Sequence, residues 1–287
     1  HRVESAPAPC VFIGKPCDVA ATWKARALRS RLDGNLGLTI AIFCAGTPST
    51  EGTLAMLRSM GVESGDEIVG LRYRGNGWPG RAEVTLPGGD GDGEERRSLS
   101  YEESWGEILQ KHRQWRCALC ADHTGEFADI AVGDPWYRPT GEGDPGRSLV
   151  IVRTERGRRL LAEAMESGTL TLERVDPALL PASQPNLLRT RGAIWGRLLV
   201  CRWMGAAVPR YLGVPALRFW WSELGLREKA QSIYGTVKRV IVRRLRRRID
   251  YRQAVAPARR SSSSHSAPSP AEAVEGERLV GAQKGKA

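Results

Sequence analysis

The stretch Leu38-Thr39-Ile40-Ala41-Ile42-Phe43-Cys44-Ala45-Gly46 decides the fold. Its first six residues form an unbroken, mostly apolar run, the pattern of a strand buried in a sheet. Gly46 stops the run, and a cysteine stands at its end. The same arrangement occurs upstream, where Val11-Phe12-Ile13 is stopped by Gly14 and Pro16 and followed by Cys17. A buried parallel sheet brings strand ends together. Cys17 and Cys44 are therefore expected along one edge.

Outward from these strands, the spacing predicts a helix over 18–31, with Val19, Trp23, Ala27 and Leu28 on one face. Thr50 can cap a helix carrying Leu54, Leu57 and Met60 and closed by Gly61. Further strands are expected over 66–74, 82–86, 127–132 and 148–153, and helices over 101–115 and 157–166. The run from Pro87 to Gly93 reads as an exposed loop. Strands and helices alternate irregularly, which predicts an α+β fold with a mixed sheet flanked by helices. We expect a main domain over 1–190, a helical, basic, amphipathic region over 191–253 and a disordered tail over 254–287.

The chain has 287 residues, 41% of them apolar and 26% charged, which excludes global disorder. No run approaches the ~20 apolar residues of a membrane span. Six cysteines are too few for a secreted disulfide scaffold, and no signal segment opens the chain. It begins at His1, and we expect that an N-terminal part of a longer protein is missing. Twelve basic and two acidic residues lie between Arg227 and Arg260, so this stretch holds ten of the eleven net positive charges. Here Ile233, Val237, Val240, Ile241, Leu245 and Ile249 make an apolar helical stripe over about 231–250, among Lys238, Arg239, Arg243, Arg246 and Arg247. Trp195, Trp203, Trp220 and Trp221 precede it. Trp-rich, basic helices suit the surface of an anionic membrane. Specific nucleic-acid binding is not expected, because no aromatic residues interleave with the arginines.

Cys117 and Cys120 form a C-x-x-C that leads into a strand. With Cys17 and Cys44 they make four thiols that a shared sheet edge can bring to one site. Such a set suits a tetrahedral zinc or a cubane iron–sulfur cluster. Cys17 and Cys44 are alternatively small buried hydrophobes. Cys10 and Cys201 have no partner pattern and are assigned to packing. Gly75-Asn76-Gly77-Trp78-Pro79-Gly80 matches G-x-G-x-x-G literally, but a strand pattern follows it where a dinucleotide fingerprint needs a helix. It reads as a strand–turn–strand corner, either a plain hairpin or a bare backbone approaching a flat ligand beside Trp78.

Four motifs in order resemble the C-terminal domain of the beta subunits of coenzyme F420 hydrogenases and dehydrogenases. They are Gly14-Lys15-Pro16-Cys17, Phe43-Cys44-Ala45-Gly46-Thr47-Pro48-Ser49, Tyr73-Arg74-Gly75-Asn76-Gly77-Trp78-Pro79-Gly80, and Arg116-Cys117-Ala118-Leu119-Cys120-Ala121-Asp122 running on to Gly133-Asp134. The resemblance implies a flavoprotein oxidoreductase with FAD and a 4Fe-4S cluster, exchanging electrons with coenzyme F420 or another organic acceptor. It makes Cys17, Cys44, Cys117 and Cys120 the cluster ligands. Lys15, Arg74, Gly75, Asn76, Gly77, Trp78 and Gly80 become the flavin neighbourhood. It further implies an electron-donor protein or a missing ferredoxin-like N-terminal domain as partner. The expected location is cytoplasmic, with peripheral attachment to the inner face of the membrane as a variant. The competing reading is a zinc-stabilised, non-enzymatic protein that binds membrane or nucleic acid through its basic helix.

Overall fold

The computed structural model describes residues 1–63, 67–88, 93–138 and 146–246. β1 (Cys10–Gly14) leads into α1 (Pro16–Arg26) and α2 (Ser30–Asn35), and the chain returns as β2 (Leu36–Ile42). α3 (Thr50–Ser59) follows, and then an antiparallel unit of β3 (Gly70–Arg72), β4 (Ala82–Pro87) and β5 (Glu94–Leu99). After a π-helical stretch (Glu102–Ile108), a 3-10 turn (Leu109–His112) and α4 (Trp115–Ala118), β6 (Ile130–Gly133) and β7 (Leu149–Val152) complete a second sheet. The rest is helical: α5 (Glu155–Glu166), α6 (Leu179–Ser183), α7 (Pro185–Gly192), α8 (Ile194–Trp203), α9 (Ala216–Glu223) and α10 (Leu226–Val242). The fold is therefore α+β, with helices flanking a mixed sheet.

That sheet has the order β1-β2-β6-β7. β1 and β6 both run parallel to β2, with Ile13 opposite Ile40 and Ile40 opposite Ile130, and β7 runs antiparallel to β6. Val19 of α1 is fully buried against Ala41, Ala128 and Ala131, whose small side chains let the helix approach closely. Asp129 ties the base of the sheet. Its carboxylate accepts from the Thr39 amide and hydroxyl, both at 2.8 Å, and from the Thr154 hydroxyl at 2.6 Å. A second core joins Met56, Leu57 and Met60 of α3 to Ala82, Val84 and Leu86 of β4 and to Leu109.

Several elements differ from the sequence reading for physical reasons. Val11 and Ile13 are exposed because they point away from the face of β1 that carries Phe12 into the Val19 core. The helix expected over 18–31 breaks after Arg26; Leu28 is 89% exposed, so nothing apolar holds the chain helical there. β5 has no counterpart among the expected strands. Its Glu94-Glu95-Arg96-Arg97 run lacks apolar alternation, yet its backbone pairs with β4 along its full length, and the charges pair locally, as in Arg97–Glu95 at 2.6 Å. The segment expected as one helix over 101–115 is a π turn, a 3-10 turn and the start of α4.

The C-terminal helix also differs. α10 ends at Val242, and Arg244 takes a left-handed conformation (φ 50°) just beyond it. Val240 is buried, Ile233, Val237 and Leu245 are half-buried, and Ile241 is exposed. Ile249 and the tail over 254–287 lie outside the described residues. Trp195 and Trp220 pack on each other at 4.8 Å, and the Trp220 indole N–H donates to the buried Ser232 hydroxyl at 3.0 Å. Only Trp203 and Trp221 of the four tryptophans are exposed. Residues 1–246 form one compact unit, and no helix among the described residues is long and apolar enough to cross a membrane.

Asp129 supplies a direct test of the sheet. Burial raises its pKa, but the hydrogen bonds from Thr154 and Thr39 outweigh it and leave the carboxyl below its ordinary value. A carboxyl lowered by folding contributes stability above its unfolded pKa and loses it as pH falls through the folded pKa. Asp129→Ala is expected to lose roughly 2–3 kcal/mol in urea unfolding at neutral pH. The gap from wild type should narrow as the solution is acidified below the ordinary carboxylate range.

Candidate cofactor and metal centre

The parallel strands open their C-terminal ends at one edge. Lys15 and Cys17 follow β1, Cys44 follows β2 by one residue beyond Phe43, and Asp134 follows β6. Pro16 begins α1, with its φ already set for a helix, so Cys17 lies in the first helical turn. The Lys15 ammonium stands 2.6 Å from the Asp18 carboxylate, which also accepts the Lys15 amide at 3.2 Å.

The loop after β2 is laced to the C-x-x-C segment. The Thr47 amide donates to Cys117 Sγ at 3.3 Å, the Gln114 amide to the Thr47 carbonyl at 3.0 Å, and Arg113 Nη1 to the Ala45 carbonyl at 2.8 Å. Gly46 makes this possible. Its φ is 131°, and a Cβ there would lie 2.1 Å from Arg113 Cδ. His123 fastens Cys44 from the other side. The Cys44 amide donates to the His123 carbonyl at 3.0 Å, and His123 Nδ1 lies 2.8 Å from the Cys44 carbonyl. A carbonyl only accepts, so Nδ1 carries the proton. Burial lowers the imidazole pKa, and Nε2 is buried with no hydrogen-bond partner among the described residues. His123 carries no sequence signal for this role, because its neighbours show no metal-pair spacing.

The four thiols share one neighbourhood. Burial is the largest cause that raises the pKa of Cys44, Cys17 and Cys120, the last to about 11. Neighbouring thiols add to it: Cys117 and Cys17 act on Cys44, Cys117 on Cys17, and Cys17 on Cys120. Lys15 and Arg116 oppose the rise, at Cys17 and Cys44 and at Cys120 respectively. Uptake of a metal centre by such thiols must release protons. Among the described residues no three His, Cys, Asp or Glu side chains converge on a single ion position. A tetrahedral zinc needs its thiolate sulfurs about 4 Å apart. A cubane gives each thiolate its own iron and so fits a wider set. Four thiols are the donor set that a cubane cluster or a tetrahedral zinc uses.

Beside the thiols the sheet edge opens into a cavity of about 580 Å³. Cys44 lines it together with Lys15, Arg74, Arg113, Tyr101, Trp105 and Trp136. Arg74 organises its far wall. Its guanidinium pairs with Asp134 at 2.7 Å, donates to the Pro79 carbonyl at 2.7 Å, and lies 5.3 Å from the Tyr101 ring centre. Burial, the largest cause, raises the Tyr101 pKa against the pull of Arg74.

Of the seven residues assigned to the flavin neighbourhood, Lys15 and Arg74 line this cavity; Gly75, Asn76, Gly77, Trp78 and Gly80 do not. Those five build the bracket behind Arg74. Gly80 has a φ of 81°, and a Cβ there would sit 2.7 Å from the Gly75 nitrogen, so the loop closes on itself only with glycine. The Asn76 side chain accepts from Arg72 at 2.9 Å. Trp78 packs against Trp136 with ring centres 4.7 Å apart and planes tilted by 51°, forming a second layer of the wall. Tyr101, Trp105, Arg113 and Trp136 do not stand out in the sequence, since they come from separate segments with no shared motif. Of the three aspartates after the C-x-x-C, Asp122 caps a turn through the Thr124, Gly125 and Glu126 amides, Asp129 ties strands, and Asp134 pairs with Arg74.

The chain is similar to known proteins. The family model that describes the C terminus of the coenzyme F420 hydrogenase/dehydrogenase beta subunit matches residues 9–178. The coenzyme F420 hydrogenase subunit beta of Methanococcus voltae is 26% identical over 173 residues, covering 58% of this chain and 52% of that protein. The chain thus spans about half the length of this curated relative. A chain in a xenon-derivatised structure of the F420-reducing [NiFe] hydrogenase complex from Methanosarcina barkeri aligns with 19% identity and a TM-score of 0.46, over 72% of this chain and 65% of that one. The family match runs from β1 to the segment before α6 and takes in all four cysteines, the Arg74 bracket and both sheets. On that match, this chain belongs to the family defined by the C-terminal part of coenzyme F420 hydrogenase/dehydrogenase beta subunits.

Proposed function

We propose that the chain is the cofactor-bearing part of an iron–sulfur flavoprotein oxidoreductase. In this reading a 4Fe-4S cluster held by Cys17, Cys44, Cys117 and Cys120 exchanges electrons with FAD in the adjoining cavity. The final acceptor or donor is coenzyme F420 or another organic two-electron carrier. The single observation that carries the reading is the position of Cys44, which belongs both to the thiol set and to the cavity wall. Family membership supports the redox class. An electron-donor protein or domain is the partner this reading requires.

A bound cluster moves single electrons and a bound flavin takes up two, so the pair would convert one currency of reduction into the other. The chain's own residues supply binding and orientation. The cavity is within the roughly 300–1,000 Å³ of ordinary ligand sites, mostly apolar with a few polar groups. Tyr101, Trp105 and Trp136 offer faces for a planar ring system. Lys15, Arg74 and Arg113 supply positive charge for anionic groups, Arg74 remaining fixed by Asp134 while it does so. Lys15 lines the cavity and its charge also acts on Cys17, so one cation, itself paired with Asp18, bears on both halves of the site.

Two outcomes test this. In anaerobically reconstituted protein, replacing any one of Cys17, Cys44, Cys117 or Cys120 by Ala should abolish stoichiometric iron binding, while Cys10→Ala and Cys201→Ala retain it. Iron retained by all four single variants would refute the ligand set. Trp136→Ala should weaken FAD binding, measured by flavin fluorescence, about tenfold through loss of an aromatic face. An unchanged affinity, with the fold intact by circular dichroism, would remove the flavin from this cavity.

A further inference from the structure

The helices after residue 178 lie outside the family match, yet they close over the C-x-x-C turn. Resting on the reading of Cys117 and Cys120 as cluster ligands, we propose that Arg197 and Tyr211 are positioning residues. They clamp the turn between those cysteines and thereby make the C-terminal helical segment a working part of the metal centre.

The two residues between the cysteines are Ala118 and Leu119, and both of their carbonyls are gripped from the C-terminal side. Arg197 Nη1, on α8, donates to the Ala118 carbonyl at 2.6 Å. The Tyr211 hydroxyl, in the loop between α8 and α9, donates to the Leu119 carbonyl. Arg116, just before the first cysteine, donates to the Tyr211 oxygen at 3.1 Å and so closes a ring of contacts around the turn. The Leu119 side chain is buried with Cys201 of α8, Ala206, and Val240 of α10. α4 is four residues long, too short to hold its own shape. The orientation of Cys117 and Cys120 therefore depends on what grips the turn from outside.

Arg197 is placed at a cost that a solvated arginine avoids. Burial lowers its pKa to about 10, with Arg239 and Arg113 adding to the effect. Its Nε is buried without a hydrogen-bond partner, and among the described residues it pairs with no carboxylate. A buried cation without a counter-ion is strongly unfavourable. A set of thiolates, or an anionic cluster on them, lying beyond the carbonyl it grips gives that charge a purpose. Val240 of α10, on the inward face that also carries Ser232 and Thr236, packs in the cluster that holds Leu119.

The test uses the full chain and begins without metal. Thiol labelling of the metal-free protein with iodoacetamide is read peptide by peptide by mass spectrometry. Arg197→Met and Tyr211→Phe should each speed labelling of the Cys117–Cys120 peptide about three- to tenfold, the range that loss of one hydrogen bond gives. Cys10 and Cys201 should label as in wild type, and Arg197→Lys should restore most of the protection. Unchanged labelling of the C-x-x-C peptide, or equal acceleration at the buried Cys201, would overturn the clamp. Tyr211→Phe alters a partly exposed residue and keeps the test open if Arg197→Met fails to fold. In iron-loaded protein both variants should release iron to a chelator faster than wild type, and equal release would refute a role at the metal centre. A wild-type chain that takes up no iron would instead defeat the cluster assignment, while the labelling result still decides the clamp.

Discussion

The parallel pairing of β2 with β1 on one side and β6 on the other is the constraint on which the rest depends. Parallel strands must be joined by crossovers, so the chain leaves each strand at the same edge and returns to the opposite one. That geometry delivers Lys15 and Cys17, then Cys44, then Asp134 to one place, although they are widely separated in the sequence. Asp129 secures the opposite end, where its carboxylate holds the amide and hydroxyl of Thr39 and the hydroxyl of Thr154. The strands are thus fixed at their base and free to carry irregular loops at their tips. Those loops then lace to one another through Thr47, Arg113 and His123.

What the sequence revealed follows from where its signals are strong. β2 is legible because six largely apolar residues in a row have few alternatives. Cys17, Cys44 and the C-x-x-C are legible because cysteines at strand ends are uncommon. β5 is not, since Glu94 to Arg97 carry no alternation and are held only by backbone pairing and local ion pairs. The cavity is the least legible part. Tyr101 and Trp105 come from a π-helical turn, Arg113 from the loop before α4, and Trp136 from the turn after β6; none has a spacing that points to the others. The glycine-rich motif is visible in the sequence but its task is not. The structure uses it as a rigid bracket for Arg74, with Trp78 reinforcing Trp136 from behind.

The C-terminal helices change the meaning of the chain's charge. Read as sequence, the basic stripe looks outward to an anionic surface. In the fold, Val240 packs on Leu119, and Trp220 on Ser232 and Trp195. Arg243 reaches the Arg113 carbonyl at 3.3 Å, beside the loop that carries the thiols. Arg243 is exposed, so this contact lies at the surface, while the apolar side of the helix packs inward.

The most direct test of the central claim is the low-temperature electron paramagnetic resonance spectrum of the chain, reconstituted anaerobically with iron, sulfide and FAD and then reduced. The account predicts the signal of a single reduced cubane cluster, with flavin bound in equal amount to the cluster. A high-spin signal from isolated ferric iron before reduction, or a protein that excludes iron and holds only zinc, would contradict it.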